Sequence, residues 1–258
     1  MLRRDIITED IEPQISCSGY CSLCKKEHYL YEGDARRHCV ELMKTLERKQ
    51  RIDLMSPNDE ADPRFSTDYL FGKARGQMFG VMVCEDQDGS KVMLRAFSGQ
   101  YNGVWEVDGW VAPLLNANEF DLISCDIDKK IKGLGKQIDL LDKSSSKRLQ
   151  LIKERRALSK RLMKDIHSLY QLNNFKQDTG SLFEAFYNDN GIPTGTGDCC
   201  APKLLNYAAQ NNLTPLSVAE FYYGRENRSG TRLHGQFYPS CEEKCQPILG
   251  FMLCGLDW

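Results

Sequence analysis

Residues 76–99 read GQMFGVMVCEDQDGSKVMLRAFSG. Apolar Met78 to Cys84 runs into the turn dipeptide Asp88-Gly89, and Val92 to Phe97 runs back out. Two apolar arms joined by such a turn predict an antiparallel strand pair. Working outward, GDARRHCVELMKTLERKQRID (33–53) sets Cys39, Leu42, Met43 and Leu46 at helical spacing, so a helix is expected from about Asp34 to Lys49. Further on, CCAPKLLNYAAQ (199–210) reads as a helix and LSVAEFYYG (216–224) as a strand. YPSCEEKCQPILGFMLCGL (238–256) reads as a loop entering a final helix. Strands alternate with helices, and the fold class this predicts is α/β.

The chain has 258 residues, 41% hydrophobic and 27% charged, with a mean hydropathy of -0.49. This is a globular profile, and no apolar run approaches the roughly 18 to 20 residues of a membrane span. The opening MLRRDIITEDIEPQ follows its arginines with acids, so no secretory leader is expected and a cytoplasmic location is. Residues 126–172 stand apart. Ile127, Ile131, Leu134, Ile138 and Leu141 mark one helix; Leu149, Ile152, Leu158, Leu162, Ile166 and Leu169 mark another, with DKSSSK (142–147) as the turn between them. From Lys129 to Lys164 this predicted antiparallel hairpin carries thirteen Lys and Arg against three acids, a local net charge of +10 in a chain whose total is -2. Such asymmetry fits either a solvated helical pair or a polyanionic partner.

Eleven cysteines in a chain expected in a reducing compartment point to metal ligation or burial instead of disulfides. SCSGYCSLCKKEH (16–28) contains a Cys-x-x-Cys pair, Cys21 and Cys24; Cys17 and Cys39, or His28 in place of either, would complete a tetrahedral zinc site. Unliganded thiols and a redox pair are the other readings. Cys84, Cys125 and Cys254 stand alone in or beside apolar stretches and read as small buried hydrophobes.

A second group, Cys199, Cys200, Cys241 and Cys245, sits where helices are expected to start. The order of a cysteine at a helix start, a strand, and a paired-cysteine helix start resembles the zinc deaminases of the cytidine deaminase-like fold. That resemblance implies a three-layer core with the hairpin as an insertion, and Cys199, Cys241 and Cys245 as three ligands with water in the fourth position. Two features depart from it. The pair is Cys-x3-Cys, and the position two residues after the first ligand is Ala201, not the proton-shuttling Glu, though Glu242, Glu243 or Asp198 would be candidates to substitute. The rival chemistry is a cysteine nucleophile at a helix N-terminus, Cys199 or Cys200, with His234 as its base. The GTGD loop (195–198) would suit a phosphate but lacks the Lys-Ser/Thr ending of a P-loop.

The strings GTGDCCAPKLLNYA (195–208), AEFYYG (219–224) and HGQFYPSCEEKCQPILGFML (234–253) are similar to the N-terminal extension of long RluA-type pseudouridine synthases. That extension carries GxGDCAAPKLL, AEFWWG and HGxFYPACxxKCxPIL stretches. GQMFGVMV (76–83) and AFSGQYNGVWEVDGWVAP (96–113) resemble its upstream segment, so the likeness covers roughly residues 75–256. It implies an association with RNA modification and importance for Cys199, His234, Cys241 and Cys245. It does not imply uridine isomerisation, because the HRLDxxTSG-like catalytic motif occurs nowhere in the chain.

Together these readings predict an α/β protein with a deaminase-like three-layer core. A cysteine knuckle region (1–33) precedes the first part of the core (34–125), the basic hairpin (126–172) is inserted, and the second part of the core (173–258) follows. The leading function is a metal-binding, RNA-associated module with one or two zinc ions, in which Lys147, Arg148, Arg155, Arg156, Lys160 and Arg161 touch RNA phosphates. The alternatives are a zinc deaminase or hydrolase acting on a nucleobase or nucleotide, and a non-catalytic scaffold that dimerises or docks a protein through the apolar stripe of the hairpin. Tyr101, Trp105 and Trp110 would stack bases or, more simply, close a core; Phe221 to Tyr223 and Phe237-Tyr238 would line a pocket near the cysteines.

Overall fold

The computed structural model describes residues 14–57, 60–188 and 191–256; the opening segment read for a leader lies almost wholly outside them. The expected strand pair forms as β3 (Gln77–Glu85) and β4 (Lys91–Phe97), turning at Gly89 with φ +80. β7 (Thr214–Tyr223) pairs with the other edge of β3, giving an antiparallel sheet of order β4-β3-β7.

Alternation along β3 divides the core. Phe79, Val81 and Val83 face α1 (Ala35–Lys49), which buries Ala35, Cys39, Leu42 and Leu46 against them. Met82 and Cys84 face α6 (Cys200–Gln210), whose Leu204, Leu205 and Ala208 pack there with Val218 of β7. Gly80 permits the close fit: a Cβ on it would lie 2.7 Å from Cys200 Cβ. The core is therefore mixed α/β, with one helix on each face of a small antiparallel sheet.

The N-terminal cysteine region is a β-hairpin, β1 (Ile15–Cys21) and β2 (Lys26–Tyr31). It packs on α7 (Gln246–Met252) backbone against backbone. A Cβ on Gly250 would lie 2.0 Å from Tyr20 O, and one on Gly19 would lie 2.4 Å from Gln246 O. Two short elements, α2 (Asp68–Phe71) and α5 (Leu182–Ala185), and a two-stranded ribbon, β5 (Gln171–Asn173) with β6 (Thr179–Ser181), complete the fold.

The charged segment forms two helices, α3 (Ala117–Asp139) and α4 (Ser146–His167), with Lys130 meeting Glu154 across the pair. α3 starts nine residues before the expected Asp126. Asn116 caps it by accepting from the N–H groups of Asn118 and Glu119, and Phe120 and Ile123 extend the apolar face toward the main core. Most of the apolar stripe is turned inward. Leu134, Ile138, Leu162 and Ile166 are buried, while Leu122, Leu140 and Leu149 are exposed. Among the described residues no helix is long and apolar enough to cross a membrane.

Candidate metal centres

The turn between β1 and β2 makes the first centre. Lys25 takes a left-handed φ of +59 and donates its N–H to Cys21 O at 2.8 Å, folding the Cys21-x-x-Cys24 knuckle back on itself. His28, on β2, brings Nε2 to 2.9 Å from Cys24 Sγ. The fourth member is Cys254, just past α7. The ligand atoms of Cys21, Cys24, His28 and Cys254 all lie within 4.8 Å of one another and can hold a metal ion. Cys254 reaches the knuckle because the Gly19–Gly250 approach seats α7 directly on β1. Burial pushes the Cys254 thiol up to about 12. At Cys24 burial acts in the same raising sense, but hydrogen bonds from Cys21 and Cys254 outweigh it and hold the thiol below its ordinary range. Three sulfurs and one imidazole are four ligands of the kind that suits a tetrahedral zinc ion.

Three expectations are corrected here. Cys17 is not a ligand: it is buried in the main core, where desolvation and the nearby Glu220 carboxylate raise its pKa. Cys39 is not one either, because it lies on the buried face of α1 with Sγ donating to Ala219 O at 3.3 Å. Cys254, read as a plain buried hydrophobe, takes up the position they leave.

The second centre gathers Cys199, Cys241 and Cys245, whose sulfurs lie within 4.8 Å of one another. Cys199 is the N-cap of α6. Cys241 and Cys245 close a turn ahead of α7, with Cys245 N–H donating to Cys241 O at 3.1 Å and the two sulfurs 3.5 Å apart. Hydrogen bonds from Cys199 and Cys245 hold Cys241 far below the ordinary thiol range, and the same contacts raise Cys245. The three sulfurs thus form a preformed cradle. Cys200 points away, with Sγ toward Met78 O at 3.4 Å.

Glu220 adjoins this cradle. Its Oε1 accepts from Ala201 N–H at 3.1 Å and from Ser240 Oγ at 3.4 Å, so the carboxylate caps α6 from β7. Burial pushes its pKa up to about 7, against the two hydrogen bonds and with the nearby Cys241 sulfur adding to the rise. Its oxygens fall outside the ligand set. Sequence reasoning missed Glu220. The signal was one acid inside the otherwise apolar Val218-Ala219-Glu220-Phe221 run.

The nucleophile pair does not form. His234 Nδ1 accepts from Gly224 N–H at 3.0 Å, and its ring packs on Phe71 and Tyr223. Tyr223 belongs to the α1 face of the sheet, whereas Cys199 and Glu220 lie on the α6 face. Tyr101 and Trp110 close the core, donating to Ser66 O and Ile52 O, each at 2.8 Å. Lys147, Arg155, Arg156, Lys160 and Arg161 are exposed along α4 and Arg148 is half-exposed; among the described residues, Arg161 alone of these six has a carboxylate partner, Asp165 at 3.9 Å. Compared with known proteins, the chain matches no family model, no curated protein and no solved structure.

Proposed function

We propose that the protein is a zinc-binding, RNA-associated module, with a structural ion at the Cys21–Cys24–His28–Cys254 site and a second ion at Cys199, Cys241 and Cys245. The observation that carries the RNA part is the row of cations on α4, exposed or half-exposed, of which Arg161 alone has a carboxylate partner among the described residues. Cations paired with neighbouring acids gain little from a phosphate, whereas unpaired ones release condensed counterions when they meet it. The likeness of residues 75–256 to the extension of RluA-type pseudouridine synthases supports a link to RNA modification. Binding of structured RNA at low salt, weakening steeply as salt rises, is the expected result. Undetectable binding, or binding unchanged when Lys147, Arg148, Arg155, Arg156, Lys160 and Arg161 are neutralised together, would sink this reading. The metal part predicts two ions per chain by elemental analysis.

One observation favours a second, hydrolytic reading. Three cysteine ligands leave a tetrahedral ion one position for water or substrate, and the buried Glu220 carboxylate beside them is the proton acceptor that the deaminase-like pattern lacks at Ala201. On this reading the zinc-loaded protein turns over a nucleobase or nucleotide, and Cys241→Ser abolishes turnover with the fold retained. Absence of turnover on such substrates by the two-zinc protein would leave the second ion structural.

A further inference from the structure

Two cavities adjoin along α4 and share Met163 and His167 as their common wall. The outer, about 700 Å³, has Arg156, Lys160 and Lys164 on one side and Phe183 on the other. The inner, about 360 Å³, is lined by Trp105, Phe120, Asp198 and Gly195 of the glycine loop. Both volumes lie in the range of small-molecule sites.

The inner cavity carries a second, independent mark. Among the described residues, the buried side-chain polar atoms without a hydrogen-bond partner are Trp105 Nε1 and His167 Nε2, and both side chains line it. Trp105 is 8% exposed and His167 5%. A buried donor or acceptor left unmade is costly, so such atoms mark a place where a partner belongs. Indole N–H can only donate. Burial lowers the pKa of His167, and its other ring nitrogen is engaged by the Pro193 carbonyl, so the neutral ring presents Nε2 as an acceptor.

We propose that these paired cavities form a nucleotide site, the inner one taking a base and the cationic wall of the outer one taking its phosphates. The inference rests on the RNA reading above and deepens it. Three features fix the ligand class and its orientation. Arg156, Lys160 and Lys164 recur at i, i+4 and i+8, about 6 Å apart along the helix, a row suited to successive phosphates. Asp198, whose Oδ1 accepts from Tyr170 OH at 2.6 Å, and Asp128 line the inner cavity and repel an anion there, so the phosphate stays outside. A base brings a flat face for one of the two rings, Trp105 or Phe120, which meet edge-on at 5.2 Å, and an edge with adjacent donor and acceptor for the two unpartnered nitrogens. Phe183, 46% exposed, offers a stacking face at the mouth.

The test titrates a labelled single-stranded RNA octamer of mixed sequence, and an abasic strand of equal length, into the full zinc-loaded chain at low salt. The base-bearing strand is expected to bind about tenfold tighter, the worth of one stacked, hydrogen-bonded base. Trp105→Phe, and separately the surface change Phe183→Ala, should erase that preference and leave abasic binding unchanged. Equal binding of both strands by the wild type overturns the nucleotide site while the phosphate contact stands; binding of neither strand overturns both. A preference that survives both substitutions also overturns the site. Nucleoside 5′-monophosphates, followed through the His167 imidazole resonances, separate the sources: affinity matching the octamer's supports the site with a free nucleotide as occupant, and much weaker affinity supports a strand.

Discussion

The two cysteine groups share a ligand chemistry and differ in what closes them. At the first, a knuckle from the N-terminal hairpin is completed by His28 and by Cys254, more than two hundred residues later. At the second, Cys199, Cys241 and Cys245 converge from one helix start and one turn, and the next group inward is a carboxylate outside the ligand set. A four-ligand site has no room for chemistry but ties chain ends together, whereas a three-ligand site holds less structure and keeps a position free. The closed site should therefore dominate folding and the open one exchange or turnover.

The sharpest way to break this contrast is to open the closed site. Structural zinc sites contribute on the order of 10 kcal/mol of folding free energy at neutral pH. Chelation, or Cys254→Ser, is thus expected to cost more than a large core truncation, about 2–5 kcal/mol. Hydrogen exchange should show β1, β2 and α7 losing protection together. Retained protection after the first ion is gone would mean that packing alone holds the hairpin. Next in size is Gly250→Ala, which touches no ligand. Its Cβ would meet Tyr20 O at 2.0 Å, so β1 and α7 must part. The expected cost is about 3 kcal/mol, with weaker metal affinity at the first site and none lost at the second.

That glycine contact also explains what the sequence could and could not show. α1, the β3–β4 pair, α6 and β7 are legible because each buries a periodic apolar face, as with Cys39, Leu42 and Leu46 of α1 or the turn at Asp88-Gly89. β1 and β2 are not. Ser-Cys-Ser-Gly-Tyr-Cys and Lys-Glu-His-Tyr lack a clean alternation, and what makes them strands is a helix that arrives from the far end of the chain. Cys17 and Cys39 were sound choices by spacing along the chain. They fail because β1 turns Cys17 into the main core and the α1 face turns Cys39 toward the sheet. The cradle of Cys199, Cys241 and Cys245 was legible because each lies at or just before a helix start. His234 was not excludable, since only the sheet shows that it lies on the other face.

Glu220 separates the two centres in another way. Its folded pKa, about 7, lies above the unfolded value near 4.5, so the folded state binds the extra proton between them. The stability linked to this group is fully present below about pH 4.5 and is lost as pH rises through 7. Glu220→Gln removes the titration and keeps an oxygen for Ala201 N–H. Denaturant unfolding between pH 5.5 and 8 should show the variant gaining on the wild type as pH rises, by about 2–3 kcal/mol at the top of the range. A difference independent of pH would mean that Glu220 does not titrate in this range in the folded state.

The smallest expected effect on stability is the one that tests the open site most directly. Cys199 occupies the N-cap of α6 without any side-chain capping bond, and its helix is capped instead by Glu220. Serine is among the best N-cap residues, worth up to about 1 kcal/mol over a non-capping side chain. Cys199→Ser thus loses a ligand and gains a cap, and its net effect on folding should fall within about 1 kcal/mol. Elemental analysis should find one ion instead of two, and hydrogen exchange should find β1, β2 and α7 unchanged. Collapse of the protein on this substitution would place the second ion among the structural ones, and the contrast between a closed and an open centre would fail.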